Sequence, residues 1–142
     1  MVQRDYILRE IERIGTIISA IRQKLLGGKD NLAITVEAQV ENTKAMLLDE
    51  IGFDIDKFLV LNTEDLNVYI SEFDGFNVEN IELLADCLSQ IGFNDNSGNS
   101  KIYLEKALQL YELCNLKSKT FSFERETNIL AIKNKSILIF NS

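Results

Sequence analysis

Carboxylates are the side chains of this sequence that are best suited to chemistry. The chain has 22 acidic residues, and two carboxylates held close together can transfer protons or bind a magnesium ion. The closest of them are paired at three places: Asp49 with Glu50, Asp54 with Asp56, and Glu64 with Asp65. Each pair also falls where a helix is predicted to begin or end, and exposed acidic residues are common there. We therefore interpret them as solvated helix-end residues and predict no catalytic residue among them.

Histidine is absent from the chain, which removes the usual general base and the commonest metal ligand. Ser-His-Asp and Cys-His nucleophile systems are excluded with it. Cys87 and Cys114 are the only cysteines, and two cysteines without histidine do not make a zinc site of ordinary spacing. Both lie on predicted helices, so we expect reduced, buried thiols.

Two loops share part of the composition of known ligand-binding loops. Residues 94–100 are rich in Asn, Asp and Ser, as calcium loops are. If Gly98 takes the obligatory glycine position, Phe93 and Leu104 become the first and twelfth ligands, and neither side chain has an oxygen. The glycine pair before Lys29 follows a helix and lacks the remaining residues of a phosphate loop. We therefore predict no metal and no cofactor.

Charge is divided unevenly along the chain. Basic and acidic side chains number six and four in residues 1–36, two and fourteen in residues 37–95, and seven and four in residues 96–142. The net charges are therefore +2, −12 and +3, and the whole chain carries −7. An acidic middle repels phosphate, so we do not expect nucleic acid as a partner. The middle is either a solvated surface or a surface that meets the basic ends, within one chain or between chains.

The longest predicted helix covers residues 5–26 and carries a regular apolar stripe. Its members recur at alternating intervals of four and three residues: Ile7, Ile11, Ile14, Ile18, Ile21 and Leu25. Such a stripe must pack against another helix, of the same chain or of a partner. Tyr6, Leu8 and Ile17 lie off the stripe, which favours a helix covered from two sides. The stripe belongs either to the chain's own core or to the interface of a homodimer or protein complex.

The remainder of the chain is also predicted to be helical. Apolar periodicity and punctuating residues predict helices over 32–51, 55–61, 63–73, 78–91, 101–115 and 121–133. Their predicted N-caps are short polar residues: Asp30 or Asn31, Thr63 and Asn77. On the last helix Phe123, Ile129 and Leu130 are predicted to point inward. The apolar tail at residues 137–140 is expected to dock on the rest of the protein.

Two of these helices are predicted to end in the same way. The tripeptide Ile51-Gly52-Phe53 recurs as Ile91-Gly92-Phe93. Glycine adopts the left-handed conformation without steric cost, and the apolar residue after it can fold back on the last turn, as Phe53 can on Leu48. The forty-residue interval between the two endings indicates a helical repeat.

Residues 81–114 resemble a tetratricopeptide repeat. The residues that match the family's first helix are Leu84, Ala85, Leu88 and Gly92, and those that match its second are Ala107, Tyr111 and Cys114. The sequence departs from the family in the long connection at residues 93–101 and in lacking the tryptophan-like position and the proline. The resemblance implies packed antiparallel helix pairs and binding of a protein segment, and it implies no ligand.

Together these patterns predict one all-α domain over residues 1–142, with five to seven helices packed as antiparallel hairpins in a bundle or short repeat-like array. Apolar runs do not exceed four residues, so we expect no membrane helix, no signal peptide and a cytoplasmic protein. The leading functional hypothesis is a non-enzymatic module that self-associates or binds another protein. The alternatives are a small carboxylate-using enzyme or ligand-binding domain, and an acidic mimic of nucleic acid.

Overall fold

A computed structural model describes residues 2–27, 35–95 and 98–141. These residues form seven helices that pack against one another and no β-strand, which confirms the all-α prediction. The helices are α1 Val2–Gly27, α2 Val36–Ile51, α3 Ile55–Leu59, α4 Thr63–Ser71, α5 Val78–Asn94, α6 Ser100–Lys117 and α7 Phe123–Asn141. Within the described ranges, none of the helices combines the length and the apolar character needed to cross a membrane.

Helix α5 is the centre of the fold. It packs most extensively on α6 and next on α1, while α7 packs on α6 and α2 packs on α1. Its buried residues cover a wide arc of the helix: Asn80, Ile81, Leu84, Ala85, Cys87, Leu88, Ser89, Ile91 and Gly92. The less buried residues follow one another at helical spacing on the remaining side: Glu79, Glu82, Leu83, Asp86, Gln90 and Phe93. Helices α1 and α6 therefore enclose the buried arc of α5, and one stripe of the helix stays nearer to solvent.

Five helices begin at a polar side chain that caps the backbone. Each cap accepts a hydrogen bond from the N–H three residues later: Thr35, Asp54, Asn62, Asn77 and Ser122. The prediction of Asn77 is confirmed. The prediction of Thr63 is wrong, because Oδ1 of Asn62 accepts from the N–H of Asp65 and Thr63 is already helical. Asp30 and Asn31 lie outside the described residues, and α2 begins at Val36 behind Thr35.

Helix α2 ends as its sequence predicts. Gly52 has φ +83°, its N–H donates to the carbonyl of Leu48, and the N–H of Phe53 donates to the carbonyl of Leu47, both at 3.0 Å. The bond from Gly52 to Leu48 is the one that defines an αL cap, and the bond from Phe53 reaches one residue further back than in a Schellman motif. Phe53 is fully buried, whereas Leu48 is half exposed. The predicted contact between these two side chains stays a prediction.

The second copy of the tripeptide is not a helix end. Helix α5 continues through Gly92 to Asn94, so the predicted stop at Gly92 is wrong. A Cβ on Gly92 would lie 2.7 Å from the side chain of Leu104 on α6. Glycine at this position allows α5 and α6 to approach closely, and the chain turns back only after Asn94.

Five aromatic rings form a cluster where the end of α2 meets α3, α4 and the start of α5. The ring of Phe53 lies 5.1–5.8 Å, centroid to centroid, from four others: Phe58, Tyr69, Phe73 and Phe76. The hydroxyl of Tyr69 accepts a hydrogen bond from the backbone N–H of Asp54 at 2.9 Å. Tilted ring pairs at these distances are favourable beyond their buried area. The cluster therefore holds α3 and α4 against the end of α2 and the start of α5.

Asn80 fastens α1 to α5. Its Nδ2 donates to the carbonyl of Ile11 at 2.8 Å and to that of Gly75 at 2.7 Å. A Cβ on Gly15 would lie 2.8 Å from Oδ1 of Asn80, so glycine makes room for this amide. The buried amide is satisfied by backbone groups, which removes the cost of taking it out of water.

Both cysteines are buried and unpaired, which confirms the prediction of buried thiols. Loss of solvent raises the pKa of Cys87 and the pKa of Cys114 to about 12. A thiol with so high a pKa carries almost no thiolate at neutral pH, and the thiolate is the nucleophile. The two side chains therefore act as small apolar residues of the core.

Candidate interaction surface

Four large apolar side chains are exposed between the end of α6 and the middle of α7. Leu116 and Phe123 are each 82% exposed, Phe121 is 72% exposed and Leu130 is 58% exposed. We call these four residues the C-terminal apolar surface. The rings of Phe121 and Phe123 meet edge to face with their centroids 5.5 Å apart. Phe121 and Phe123 therefore form one exposed apolar patch, with Leu116 and Leu130 before and after it in the chain. An exposed apolar patch is typical of a surface that binds a partner.

The helical phase of α7 turns two members of this surface outward. Arg125, Ile129 and Ile132 are buried, and they lie three or four residues apart on one side of the helix. Phe123 and Leu130 are seven residues apart, so they share the opposite side and face solvent. Helix α7 therefore has one face fixed on its own chain and one apolar face without cover from the described residues.

Arg125 explains why the predicted phase was wrong. Its guanidinium faces inward and pairs with Glu82 on α5, with 2.5 Å between Nε and Oε1. A charged residue at an inward position rotates the apolar residues that were predicted to face the core. The prediction is confirmed for Ile129 and wrong for Phe123 and Leu130.

Charged side chains surround the C-terminal apolar surface in a segregated pattern. Exposed Lys117 is the last residue of α6, and exposed Lys119 lies in the connection before α7. The first turn of α7 holds Glu124 and Glu126, and a later turn holds the exposed Lys133. The helix is thus acidic at its start and basic further on. The predicted docking of the tail at 137–140 lies outside the described side chains, although the helix itself runs through these residues.

The α1 stripe lies mostly inside the protein. Four of its members are at most 4% exposed and belong to the common core: Ile14, Ile18, Ile21 and Leu25. The other two, Ile7 and Ile11, are half-buried. Packing within the chain therefore occupies the four buried members, and of the predicted interface only Ile7 and Ile11 offer a surface that a partner could reach.

A charged network lies on the flank of α5. Glu82 pairs with Arg125 of α7, and Asp86, one turn later, accepts a hydrogen bond from the hydroxyl of Tyr111 on α6. The second carboxylate oxygen of Asp86 lies 3.4 Å from Nε of Arg22 on α1. The network thereby joins four helices. Each of the two carboxylates is bound by groups of its own chain, so the arrangement is suited to holding helices together.

Burial changes the pKa values of two groups in this network. Loss of solvent raises the pKa of Asp86 above its ordinary value, and the hydrogen bond from Tyr111 and the charge of Arg22 offset this only in part. The pKa of Tyr111 is raised because burial and the nearby charge of Asp86 both oppose the phenolate. A raised pKa means that folded Asp86 binds a proton more tightly than the unfolded chain does, so stability falls as pH rises from 3.8 through the folded pKa.

We predict that Asp86→Asn folds normally and changes stability by less than about 1 kcal/mol at pH 7. The amide oxygen can still accept from Tyr111, and the cost of a buried charge disappears. The melting temperature of the variant relative to the parent should rise between about pH 4 and about pH 7. Thermal melts across this range measure the difference. A relative melting temperature that falls with pH would show that the folded protein favours ionised Asp86.

The carboxylate pairs noted in the sequence are caps and surface residues. Asp54 is the N-cap of α3, and the other five are exposed: Asp49, Glu50, Asp56, Glu64 and Asp65. Within the described residues, no three cysteine or acidic side chains are grouped in a way that could hold a metal ion. The acidic pairs thus occupy exposed or capping positions at helix ends, as acidic residues commonly do.

A cleft of about 340 Å³ between α2 and α6 is the place where a ligand-binding alternative would put its ligand. Tyr103, Glu41 and Lys44 are among its lining residues. The ammonium of Lys44 already lies 2.9 Å from Asp56 and 3.7 Å from Glu41. Because the cation is paired within the chain, the cleft gives little support to recognition of an anionic ligand.

Sequence reasoning missed the C-terminal apolar surface, although a signal for it was present. Phe123, Leu130 and Ile137 follow one another at intervals of seven residues, which is the repeat of a helix–helix seam. The signal was hidden because the same helix also carries inward apolar residues at other positions. It becomes visible only when the inward face is known.

Comparison with known proteins gives no relative from which a function could be transferred. No family model, no curated protein and no solved structure matches the chain. The functional argument therefore depends on the surface and the network described above.

Proposed function

We propose that this protein is a non-enzymatic interaction module that binds protein through the C-terminal apolar surface. The observation that supports this most is the exposure of Leu116, Phe121 and Phe123, each above 70%. Full burial of one such side chain is worth about 1.5–3 kcal/mol. A partner that covers the surface would gain a useful part of this free energy, and exposed aromatic residues are enriched at the centres of protein interfaces.

The remaining chemistry of the chain supports a role without catalysis. Burial raises the pKa values of Asp86, Tyr111 and the two thiols. Asp86 and Tyr111 bind each other, and each thiol is directed at a backbone carbonyl of its own chain. Perturbed groups that face a cavity would indicate an active site. Here their contacts are made within the helix packing.

The α5–α6 hairpin adds support of a second kind. These two helices pack more extensively than any other pair among the described residues. They are also the helices that resemble a tetratricopeptide repeat in sequence, and that resemblance stays a prediction. Proteins built from such hairpins bind protein segments on their helix faces. A hairpin module with an exposed apolar surface at its C-terminal end therefore fits the proposed function.

Site-specific photocrosslinking tests the proposal. A photoreactive phenylalanine analogue would replace Phe121, and in a control it would replace Val60, which is also highly exposed but lies beside α3. The purified full-length proteins are irradiated in an extract of the source cells. We expect protein adducts from position 121 and few from position 60, because an interface holds the probe against its partner.

Mass spectrometry of the adducts identifies what was bound, including a second copy of the chain. Phe123→Ser combined with the probe at 121 should reduce the adducts, because it removes half of the exposed ring pair. The proposal fails if position 121 gives no more adducts than position 60 when the same amounts of protein are irradiated.

A further inference from the structure

We infer that the outer face of α7 binds the outer face of α7 in a second copy of this chain, with the two helices antiparallel. The inference rests on the proposed function, since it names the partner of the same surface. Self-association is thereby assigned to α7 and not to the α1 stripe, because the centre of that stripe is buried in the chain's own core.

The outer face of α7 has the spacing of a helix–helix seam. Phe123 and Leu130 are exposed on one side of the helix and are seven residues apart. The sequence continues the interval with Ile137, and a seven-residue interval keeps these residues on one side of the helix. They occupy one of the two apolar positions of a heptad, and Glu126 and Lys133 stand at the other. Ala131 is exposed beside Leu130, and its small side chain permits close approach. The inner face already packs on α6, so the outer face is the side of α7 that is open to a partner.

The order of charges along α7 indicates which partner fits its outer face and whether the two helices run parallel or antiparallel. Glu124 and Glu126 lie in the first turn of α7, and Lys133 and Lys135 lie two to three turns later. A parallel pair of α7 helices would place like charges side by side. An antiparallel pair places the acidic start of each helix beside the basic part of the other, and the helix dipoles also attract in this direction.

A face that is complementary to itself generates a two-fold dimer. In such an interface each copy uses the same residues, and Leu130 would lie close to the symmetry axis. Only a few large side chains per copy take part, so the buried area is small. We expect a reversible dimer with a dissociation constant on the order of 10 µM.

Sedimentation equilibrium of the full-length chain over a concentration series measures this dimer. The mass should rise from that of one chain, 16.2 kDa, towards twice that value. Leu130→Glu should weaken the dimer at least about tenfold, because two carboxylates would meet near the axis. Val68→Glu is the matched control, since Val68 on α4 is 59% exposed against 58% for Leu130. It adds the same charge elsewhere and should leave the dimer unchanged.

A charge exchange on α7 tests the antiparallel direction. Glu126→Lys should weaken the dimer, because the new lysine faces Lys133 of the other copy. Adding Lys133→Glu should restore it, because the pair is re-formed with opposite signs. In a parallel dimer Glu126→Lys would leave association nearly unchanged. Glu126 is half-buried and accepts a hydrogen bond from Nδ2 of Asn115 at 3.4 Å. Thermal melts of each variant therefore separate loss of this bond from loss of the dimer.

The outcomes separate this inference from the proposed function. A parent that stays monomeric throughout the series, or a dimer that survives Leu130→Glu, overturns the inference of an α7 pair. If position 121 still crosslinks to a different protein, the interaction module stands and its partner is another chain. If position 121 crosslinks to nothing, the proposed function fails, whereas the α7 pair is still decided by the sedimentation series.

Discussion

Replacing Phe53 with alanine is expected to lower the free energy of unfolding by about 3–5 kcal/mol. The ring is fully buried and lies within 6 Å, centroid to centroid, of four other aromatic rings. Its removal would leave a cavity between α2, α3, α4 and α5 that rigid rings cannot fill. Such a loss is a large part of the total stability of a domain of this size. Urea unfolding followed by circular dichroism measures it.

Phe93 is the matched control, because it follows the same Ile-Gly dipeptide. It lies near the end of α5 and is 37% exposed. Phe93→Ala should cost less than about 1 kcal/mol, since water or a small shift of the helix end can fill the vacated space. Equal losses for the two variants would mean that the two tripeptides have the same surroundings, contrary to the structure.

These two tripeptides show what local sequence can and cannot predict. The stop at Gly52 follows from the conformational freedom of glycine and from the apolar residue after it, and both properties are local. At Gly92 the same residues are present, but Leu104 lies against the glycine and α5 continues. The deciding contact comes from another helix. The sequence pattern therefore predicts both stops equally well and only one of them forms.

The predictions of the buried faces of α1 and α7 also differ in their success. The α1 stripe was predicted from its spacing, and four of its members are buried. The inward face of α7 was predicted from the positions of its apolar residues and is wrong for Phe123 and Leu130. The helix period was correct, but the phase depended on Arg125 and on a carboxylate 43 positions earlier in the chain. Pairing at such a distance cannot be recognised in one sequence.

The all-α class, the number of helices and most helix ends were predictable because they depend on periodicity and caps. The network around Asp86 was not, since Arg22 and Tyr111 come from two other helices. Lys106 is a further example: it is buried, and its ammonium donates to the carbonyl of Leu61. Charged residues are normally assigned to the surface. The C-terminal apolar surface was missed because apolar residues are normally assigned to the core.

Arg125→Ala is expected to destabilise the fold by about 3 kcal/mol, the second large effect. Removing one partner of a buried ion pair leaves the other charge without compensation, which costs about 3–5 kcal/mol when both are fully buried. Arg125 is buried, whereas the carboxylate of Glu82 keeps some contact with water, so the lower end of this range applies. The variant also loses the bond from Nη1 of Arg125 to Oδ1 of Asn115, 3.0 Å long.

Two comparisons identify the cause of this loss. Arg22→Ala removes an arginine that is partly exposed and lies 3.4 Å from Asp86. We expect a cost below about 1 kcal/mol, because water screens such a pair and Asp86 keeps the hydrogen bond from Tyr111. Arg125→Met with Glu82→Gln should regain a large part of the stability, since it removes both charges and keeps the volume. Urea unfolding of the single and double variants gives the coupling between the two residues.

If Arg125→Ala and Arg22→Ala cost the same, the buried pair does not anchor α7. The inward phase of this helix, and with it the exposure of Phe123 and Leu130, would then need another explanation.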